Sequence, residues 1–246
     1  MEVNWIIECG NTRWKIGVFE DNNLLDSMAF DSWDTFLLPK SEPDNILLTG
    51  SGAWSNTLTK ELTNLTQCKV TEFKRGDNHP LNTIVEYPLE LGTDRIANSY
   101  AVQKELLDEF KEIKAWLAVD VGTCLTIDLV VDNVHQGGTI SPGINMRLKS
   151  MSDGTSDLPL IENNELNQIS GLGVSTEGAL LEGAKGGLIA EITGVWMRLK
   201  LEYPQLGVVL TGGSINNLEI GQVNPKFADS NLTLRGYNAL LHHITK

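Results

Sequence analysis

Glu8-Cys9-Gly10-Asn11-Thr12 closes the apolar run Trp5-Ile6-Ile7, and Asp120-Val121-Gly122-Thr123 closes the apolar run Trp116-Leu117-Ala118-Val119. In both, an acidic residue, one spacer and a glycine end a strand-like segment. In both, another β-rich segment follows, Trp14 to Phe19 and Leu125 to Val131. The chain therefore reads as one hairpin used twice, once near the start of each half. A strand ending in a carboxylate, then a small-residue turn, suits a metal-bound polyphosphate. Backbone N–H groups would face the phosphates and the acid would face the cation. Two facing copies would clamp a nucleotide between two domains.

In the first hairpin, Gly10-Asn11-Thr12 would cradle the β- and γ-phosphates of ATP. Glu8 would help to hold Mg²⁺, directly or through water, and Lys15 would add positive charge. Taken alone, each turn is also readable as an ordinary tight turn in which Gly and Asn supply unusual φ values. Their repetition at half-chain spacing is what favours the phosphate reading.

Leu91-Gly92-Thr93-Asp94-Arg95 reads as a helix start. Thr93 is the expected N-cap of a helix through Ile96, Ala97, Tyr100, Ala101 and Leu106-Leu107. The helix dipole would stabilise Asp94 as a carboxylate. Such a group can accept a proton from a substrate hydroxyl, and Arg95 can pair with a substrate anion. A capped helix with an exposed ion pair is the alternative. Thr211-Gly212-Gly213, after the strand Val208-Val209-Leu210, would let a flat ring approach the backbone where a helix begins, or would be only a turn. Gly137-Gly138-Thr139-Ile140-Ser141-Pro142-Gly143 reads as a glycine-rich loop ending the third strand of the second half, for a substrate or again only a turn.

The remaining pattern fills in around these motifs. Three strands reach Phe30, Asn45 to Thr49 forms a buried strand ending at Gly50-Ser51-Gly52, and a helix runs from about Trp54 to Leu65. Lys69 to Phe73 is a further strand, and Arg75 to Tyr87 reads as irregular. Asp153 to Gly173 is polar and loop-like. A long helix is expected from Thr176 to about Leu201, with Gly178, Ala179, Gly183, Ala184 and Gly187 along one face. A last helix covers about Leu234 to His242. The halves meet near Lys114, giving domains over 1–114 and 115–246.

Composition narrows the function classes. With 41% hydrophobic and 21% charged residues, the chain is ordinary for a globular protein. No apolar run approaches the roughly 20 residues that a membrane helix needs, and a signal peptide is not expected. Cys9, Cys68 and Cys124 form no C-x-x-C pair, so a structural zinc site or a disulfide framework is not expected and a reducing cytoplasm fits. The net charge of −13 lacks the basic footprint of nucleic-acid binding. It does give weight to the few cations beside a phosphate site: Arg13, Lys15, Arg95 and Arg147. His79, His135, His242 and His243 show no metal spacing, and there is no G-x-x-x-x-G-K-[ST] run.

In order along the chain, the motifs resemble those of type III pantothenate kinases. Glu8-Cys9-Gly10-Asn11-Thr12-Arg13-Trp14-Lys15 is similar to the family's first phosphate motif, and Asp120-Val121-Gly122-Thr123 to its second. Tyr87-Pro88 with Gly92-Thr93-Asp94-Arg95 resembles its pantothenate and catalytic segment. Gly137-Gly138 to Pro142-Gly143 resembles its substrate loop, Ser175-Thr176 a further substrate contact, and Thr211-Gly212-Gly213 its adenosine motif. The likeness runs from about residue 4 to 240.

The resemblance implies an α/β fold of two actin-like (ribonuclease H-like) domains with an ATP cleft between them. It implies ATP-dependent phosphorylation of pantothenate to 4′-phosphopantothenate, the first step of coenzyme A synthesis. Mg²⁺ with ATP, a monovalent cation such as K⁺ or NH₄⁺, and a homodimer built through the C-terminal domain are part of the same expectation. By the same resemblance Asp94 is the proton acceptor. Tyr87, Gly92, Thr93, Asp94, Arg95 and Thr176 bind pantothenate, with Arg95 facing its carboxylate. Residues 8–15, Thr123, Gly212 and Gly213 meet ATP, and Asp120 binds the monovalent cation.

One position departs from the family pattern, which usually has Asp where this chain has Glu8. The extra methylene moves the carboxylate by roughly 1.5 Å, a scale to which catalysis is sensitive. Two alternatives therefore stay open at this stage. One is a regulatory homologue that binds nucleotide without efficient turnover. The other is a kinase of the same fold acting on a sugar or acetate.

Overall fold

The computed structural model describes residues 1–111, 113–161, 171–215, 218 and 220–245. Its first sheet contains β1 (Val3–Cys9), β2 (Trp14–Glu20), β3 (Asn23–Phe30), β4 (Asn45–Thr49) and β5 (Val70–Phe73), in the order β3-β2-β1-β4-β5. β1 and β2 are antiparallel, as are β2 and β3, whereas β1, β4 and β5 run parallel. The second sheet contains β6 (Ala115–Val121), β7 (Cys124–Val131), β8 (Val134–Pro142), β9 (Gly207–Thr211) and β10 (Lys226–Ala228), in the order β10-β9-β6-β7-β8. Reversed, that order is the first sheet again, with β6 in the place of β1. The repeated hairpin thus heads two copies of one topology, and the chain is two actin-like domains.

Burial on both faces explains why β1 and β4 read as continuous apolar runs rather than as alternating ones. Ile6 and Leu47 pack with α2 (Thr93–Gln103) and α6 (Leu232–Ile244), while Trp5, Ile7, Cys9, Ile46 and Leu48 pack on the other face with Leu58 and Leu62 of α1 (Asn56–Thr66). In the second unit Leu117, Val119 and Val208 share a core with Ile144 and Leu148 of α3 (Ile144–Asp153). Leu188, Ile192 and Trp196 of α5 (Gly187–Lys200) complete it.

The chain divides into two compact units, Met1–Lys111 with Asp132–Gln136 and Asn231–Lys246, and Glu112–Val131 with Gly137–Ser230. The first unit thus takes in the C-terminal helix α6 and Asp132–Gln136 besides Met1–Lys111. Buried Asn4 on β1 donates to Asn238 of α6 at 3.0 Å, and Asn238 donates to the Asp21 carbonyl at 2.8 Å. Buried amides this far apart in sequence are kept only where they satisfy one another.

Several expectations need correction. The N-cap of α2 is Gly92, and Thr93 is already inside the helix with its hydroxyl buried against α6. The helix stops at Gln103, because Glu105 turns to φ +49° and so cannot continue it; Leu106-Leu107 lie beyond its end. Residues 137–142 belong to β8 rather than to a loop, and Gly143 caps α3, a helix whose two buried positions left little apolar pattern to read. The long helix runs over α4 (Thr176–Leu181), a wider π turn at Glu182–Gly186 and α5. Part of the loop expected over 153–173, and part of the helix expected after Gly213, lie outside the described residues.

Candidate active site

In the first unit, the β1–β2 connection is the solvent-exposed stretch Gly10–Arg13, with Glu8 opposite Lys15 across the hairpin. The Gly50–Gly52 loop after β4 supports it from below. Gly52 N–H donates to the Cys9 carbonyl at 2.8 Å, and the Asn11 amide donates to Ser51 Oγ at 3.3 Å. Gly50 has φ +134°, and a Cβ there would collide with the Cys9 main chain. The backbone of the first turn is therefore fixed while Asn11, Thr12 and Arg13 stay exposed. The Cys9 thiol points the other way into the core, and burial, then Glu8, pushes it up to about 12. Only the main chain of Cys9 is left for a ligand.

The second turn is shorter. β6 ends at Val121 and β7 begins at Cys124, so Gly122-Thr123 makes the whole reversal. Gly143 lies against it: Gly143 N–H donates to the Thr123 carbonyl at 3.0 Å, and a Cβ at Gly143 would meet that oxygen at 2.6 Å. From β9, Gly212 at φ +101° passes so close that a Cβ would collide with the Asp120 carboxylate and lie 2.6 Å from the Val121 carbonyl. Asp120, the turn and the Thr211-Gly212 segment thus come together in one unit. Gly213, next along, faces open space, with nothing within 4 Å of a Cβ placed there.

The two sites share one more feature that the sequence did not advertise. Glu8 lies in register with Thr49 of β4, and Asp120 in register with Thr211 of β9. Each threonine is fully buried and is followed by a positive-φ glycine. The acid-x-Gly turn is therefore half of a motif whose other half is a Thr-Gly at the end of the parallel neighbour.

Asp94 stands in the first turn of α2, half-buried, with its Oδ1 accepting the Arg95 N–H at 2.9 Å. The carboxylate is folded back on the first turn of its own helix, at the positive end of the helix dipole. Tyr87 is exposed just ahead of a short turn, Pro88–Glu90. In the core behind Thr93 lies Tyr237 of α6, fully buried, donating to Thr93 Oγ1 at 3.1 Å. Burial, then the carboxylates of Glu8 and Asp94, push this phenol well above its ordinary value. The start of α2 is thereby tied to a buried hydroxyl of the C-terminal helix.

In the second unit, Thr176 opens α4 behind the N-cap Ser175, whose Oγ accepts the Gly178 N–H at 3.1 Å. Arg147, one of the cations expected beside phosphate, is paired with Glu191 and donates through Nε to the Pro142 carbonyl at 2.8 Å. Arg13 pairs with Asp31 at 3.3 Å on an open surface, an arrangement a ligand displaces at little cost.

A sequence model of the type III pantothenate kinase family matches residues 5–198. Curated type III pantothenate kinases of Christiangramia forsetii and Bacteroides fragilis are 33% and 31% identical to the chain, over 97% and 98% of it and 98% of their own lengths. Among solved structures, a Baf family protein of Campylobacter jejuni superposes with a TM-score of 0.58 at 21% identity, covering 98% of both chains. Component A of the (R)-2-hydroxyglutaryl-CoA dehydratase of Acidaminococcus fermentans superposes with a TM-score of 0.55 at 11% identity, covering 98% of this chain and 97% of that one. At these identities the two structures speak for the fold alone. Among the described residues, no helix is long and apolar enough to cross a membrane.

Proposed function

The chain belongs to the type III pantothenate kinase family, and from that premise we propose which of its residues carry the reaction. It is an ATP-dependent kinase that phosphorylates pantothenate to 4′-phosphopantothenate, in the synthesis of coenzyme A. The observation that carries the assignment of residues is the paired geometry of the two turns, each with its acid in register with a buried threonine. The homologues give no support to a non-enzymatic role.

Asp94 is the proton acceptor. As the pantothenate hydroxyl oxygen bonds to the γ-phosphorus, its proton passes to the Asp94 carboxylate, and the bond from that phosphorus to the β–γ bridging oxygen breaks to release ADP. Little of this requires covalent chemistry from the protein, so positioning and charge neutralisation are what the residues supply. Arg95 pairs with the carboxylate of pantothenate, and Tyr87, Gly92, Thr93 and Thr176 complete its site. The exposed turn Gly10–Arg13 receives the phosphates, with Lys15 beside it. Thr123 also touches ATP, and the open space at Gly213 admits adenosine.

Two cations belong to this reading. Among the described residues no cluster of three His, Cys, Asp or Glu side chains forms a cage for a metal. Mg²⁺ is commonly held by one or two carboxylates, waters and substrate phosphates. Glu8 is the residue that would hold it. Asp120, set over the Gly122 turn and beside Gly212, fits a K⁺ or NH₄⁺ site completed by carbonyl oxygens. When bound, these ions neutralise the charge of the polyphosphate. The protein is further proposed to act as a cytoplasmic homodimer, with exposed Leu172, Val174, Met197 and Leu201 of the second unit as apolar surface for the second copy.

The test is Asp94→Asn assayed with ATP, Mg²⁺, K⁺ and pantothenate. Turnover should fall by about 10²- to 10⁴-fold, while ATP binding measured by calorimetry is kept. A variant with wild-type turnover contradicts the assignment. Equal rates for sugars and pantothenate in the unmodified protein would contradict the substrate.

A further inference from the structure

We infer that the Tyr237 hydroxyl is a positioning group for phosphoryl transfer, holding Thr93 and with it the helix turn that presents Asp94. The inference rests on Asp94 being the proton acceptor.

The phenol stands among apolar side chains of α6. Its neighbours Leu234, Leu240 and Leu241 are all buried in the same cluster. A phenylalanine fills almost the same space, and burying a hydroxyl is costly unless it is bonded. Tyr237 is 0% exposed, and its O–H donates to Thr93 Oγ1 at 3.1 Å, itself on a side chain only 2% exposed. The bond is sealed from water, so it exchanges with no solvent competitor and fixes its acceptor tightly.

Its placement depends on a close helix crossing. Gly236, one residue earlier, packs so tightly on α2 that a Cβ would run into the Ala97 carbonyl and lie 2.5 Å from its carbon. That approach sets α6 against the first turn of α2, one turn of helix before Ala97. Gly92 provides no side-chain cap, so the α2 start lacks the usual polar anchor. The Thr93 hydroxyl, which could have capped had it stood one residue earlier, is instead the acceptor for Tyr237. The anchor of this helix start comes from the C-terminal helix.

The chemistry fits a donor. The carboxylates of Glu8 and Asp94 both raise the phenol, adding to the effect of burial, so it stays protonated and continues to donate. Both acids of the first unit's proposed site therefore lie within electrostatic reach of one hydroxyl that touches neither nucleotide nor pantothenate in the assignment above. Through Thr93, whose neighbour is Asp94, a shift of the helix start becomes a shift of the proton acceptor. Its effect should appear in the chemical step more than in ground-state binding.

Full-length Tyr237→Phe, Thr93→Val, Thr93→Ser, the Phe/Val double variant, Leu240→Ala and Asp94→Asn are compared by kcat and by KM for ATP and pantothenate, well below each melting temperature. Tyr237→Phe should lower kcat roughly five- to ten-fold with both KM values nearly unchanged. Thr93→Val should lower it at least as much, the double variant no further than Thr93→Val, and Thr93→Ser, which keeps a hydroxyl, should lower kcat less than Thr93→Val does. Leu240→Ala loosens the same helix without touching the hydroxyl, so it should lower the melting temperature yet leave kcat in place. A Tyr237→Phe kcat within about two-fold of wild type, additive losses in the double variant, or an equal loss in Leu240→Ala overturns the inference. An active Asp94→Asn overturns instead the reading on which it rests, so the two failures are distinguishable.

Discussion

The β1–β2 turn and the β6–β7 turn are built on one frame and finished differently. Both end a central strand in an acid, both acids are in register with a buried threonine on the parallel neighbour, and both threonines precede a positive-φ glycine. The first turn is long, exposed and flanked by Arg13 and Lys15. The second is two residues long and closed in by Gly143 and Gly212, with the Asp120 carboxylate against glycine backbone. An open turn with cations beside it is suited to an anion; a closed turn with a carboxylate over main chain is suited to a cation. The comparison teaches that duplicating a fold element does not duplicate its chemistry. Loop length and the neighbouring glycines decide what the acid faces.

The largest expected effects come from the frame itself. Gly50→Ala and Gly212→Ala each force an alanine to positive φ and into backbone, of Cys9 in one unit and of Val121 in the other. Each should cost about 1–3 kcal/mol in thermal or urea unfolding. Gly213→Ala, with nothing within 4 Å of its Cβ, is the control and should leave stability within about 0.5 kcal/mol of wild type while weakening ATP binding. If Gly50→Ala and Gly212→Ala are as stable as Gly213→Ala, the shared frame is not under the constraint described.

Glu8→Asp makes the two acids alike. The shorter side chain moves the carboxylate on the ångström scale, so it should lower kcat about ten-fold. An increase would mean that Glu8 is a handicap that this chain carries.

An effect confined to alkaline pH concerns Cys9, behind the first turn. Its thiol is pushed from 9.0 up to about 12 in the folded protein. The unfolded chain therefore gives up that proton first as the pH rises. The contribution to stability is complete below pH 9 and is lost between about 9 and 12, by at most about 1.4 kcal/mol per pH unit. In urea titrations across that range Cys9→Ala should fall away less steeply than wild type. Parallel slopes would show that the thiol does not contribute.

Much of this frame was legible in the sequence because the central strands are buried on both faces and so read as apolar runs ending in acid-x-Gly. The strand Asn45–Thr49 was legible for the same reason. What escaped was carried by contacts rather than by pattern. α3 buries only Ile144 and Leu148, too few to mark a helical stripe. Thr93 looks like an N-cap because it is a threonine before an acid at a helix start, and only the packing of α6 reveals that its hydroxyl is used elsewhere. Tyr237 lies 144 residues from Thr93, and no local rule connects them. The return of α6 to the first unit likewise depends on Asn4, Asp21 and Asn238 meeting across the fold.

The division of labour between the turns is tested most directly by titrating K⁺ against kinase activity, at fixed Mg²⁺, ATP and pantothenate, in Asp120→Asn and Glu8→Gln. Asp120→Asn should flatten the K⁺ response, and Glu8→Gln should lower activity while keeping the wild-type K⁺ midpoint. An unchanged K⁺ response in Asp120→Asn, or an equal flattening in both, would contradict the account.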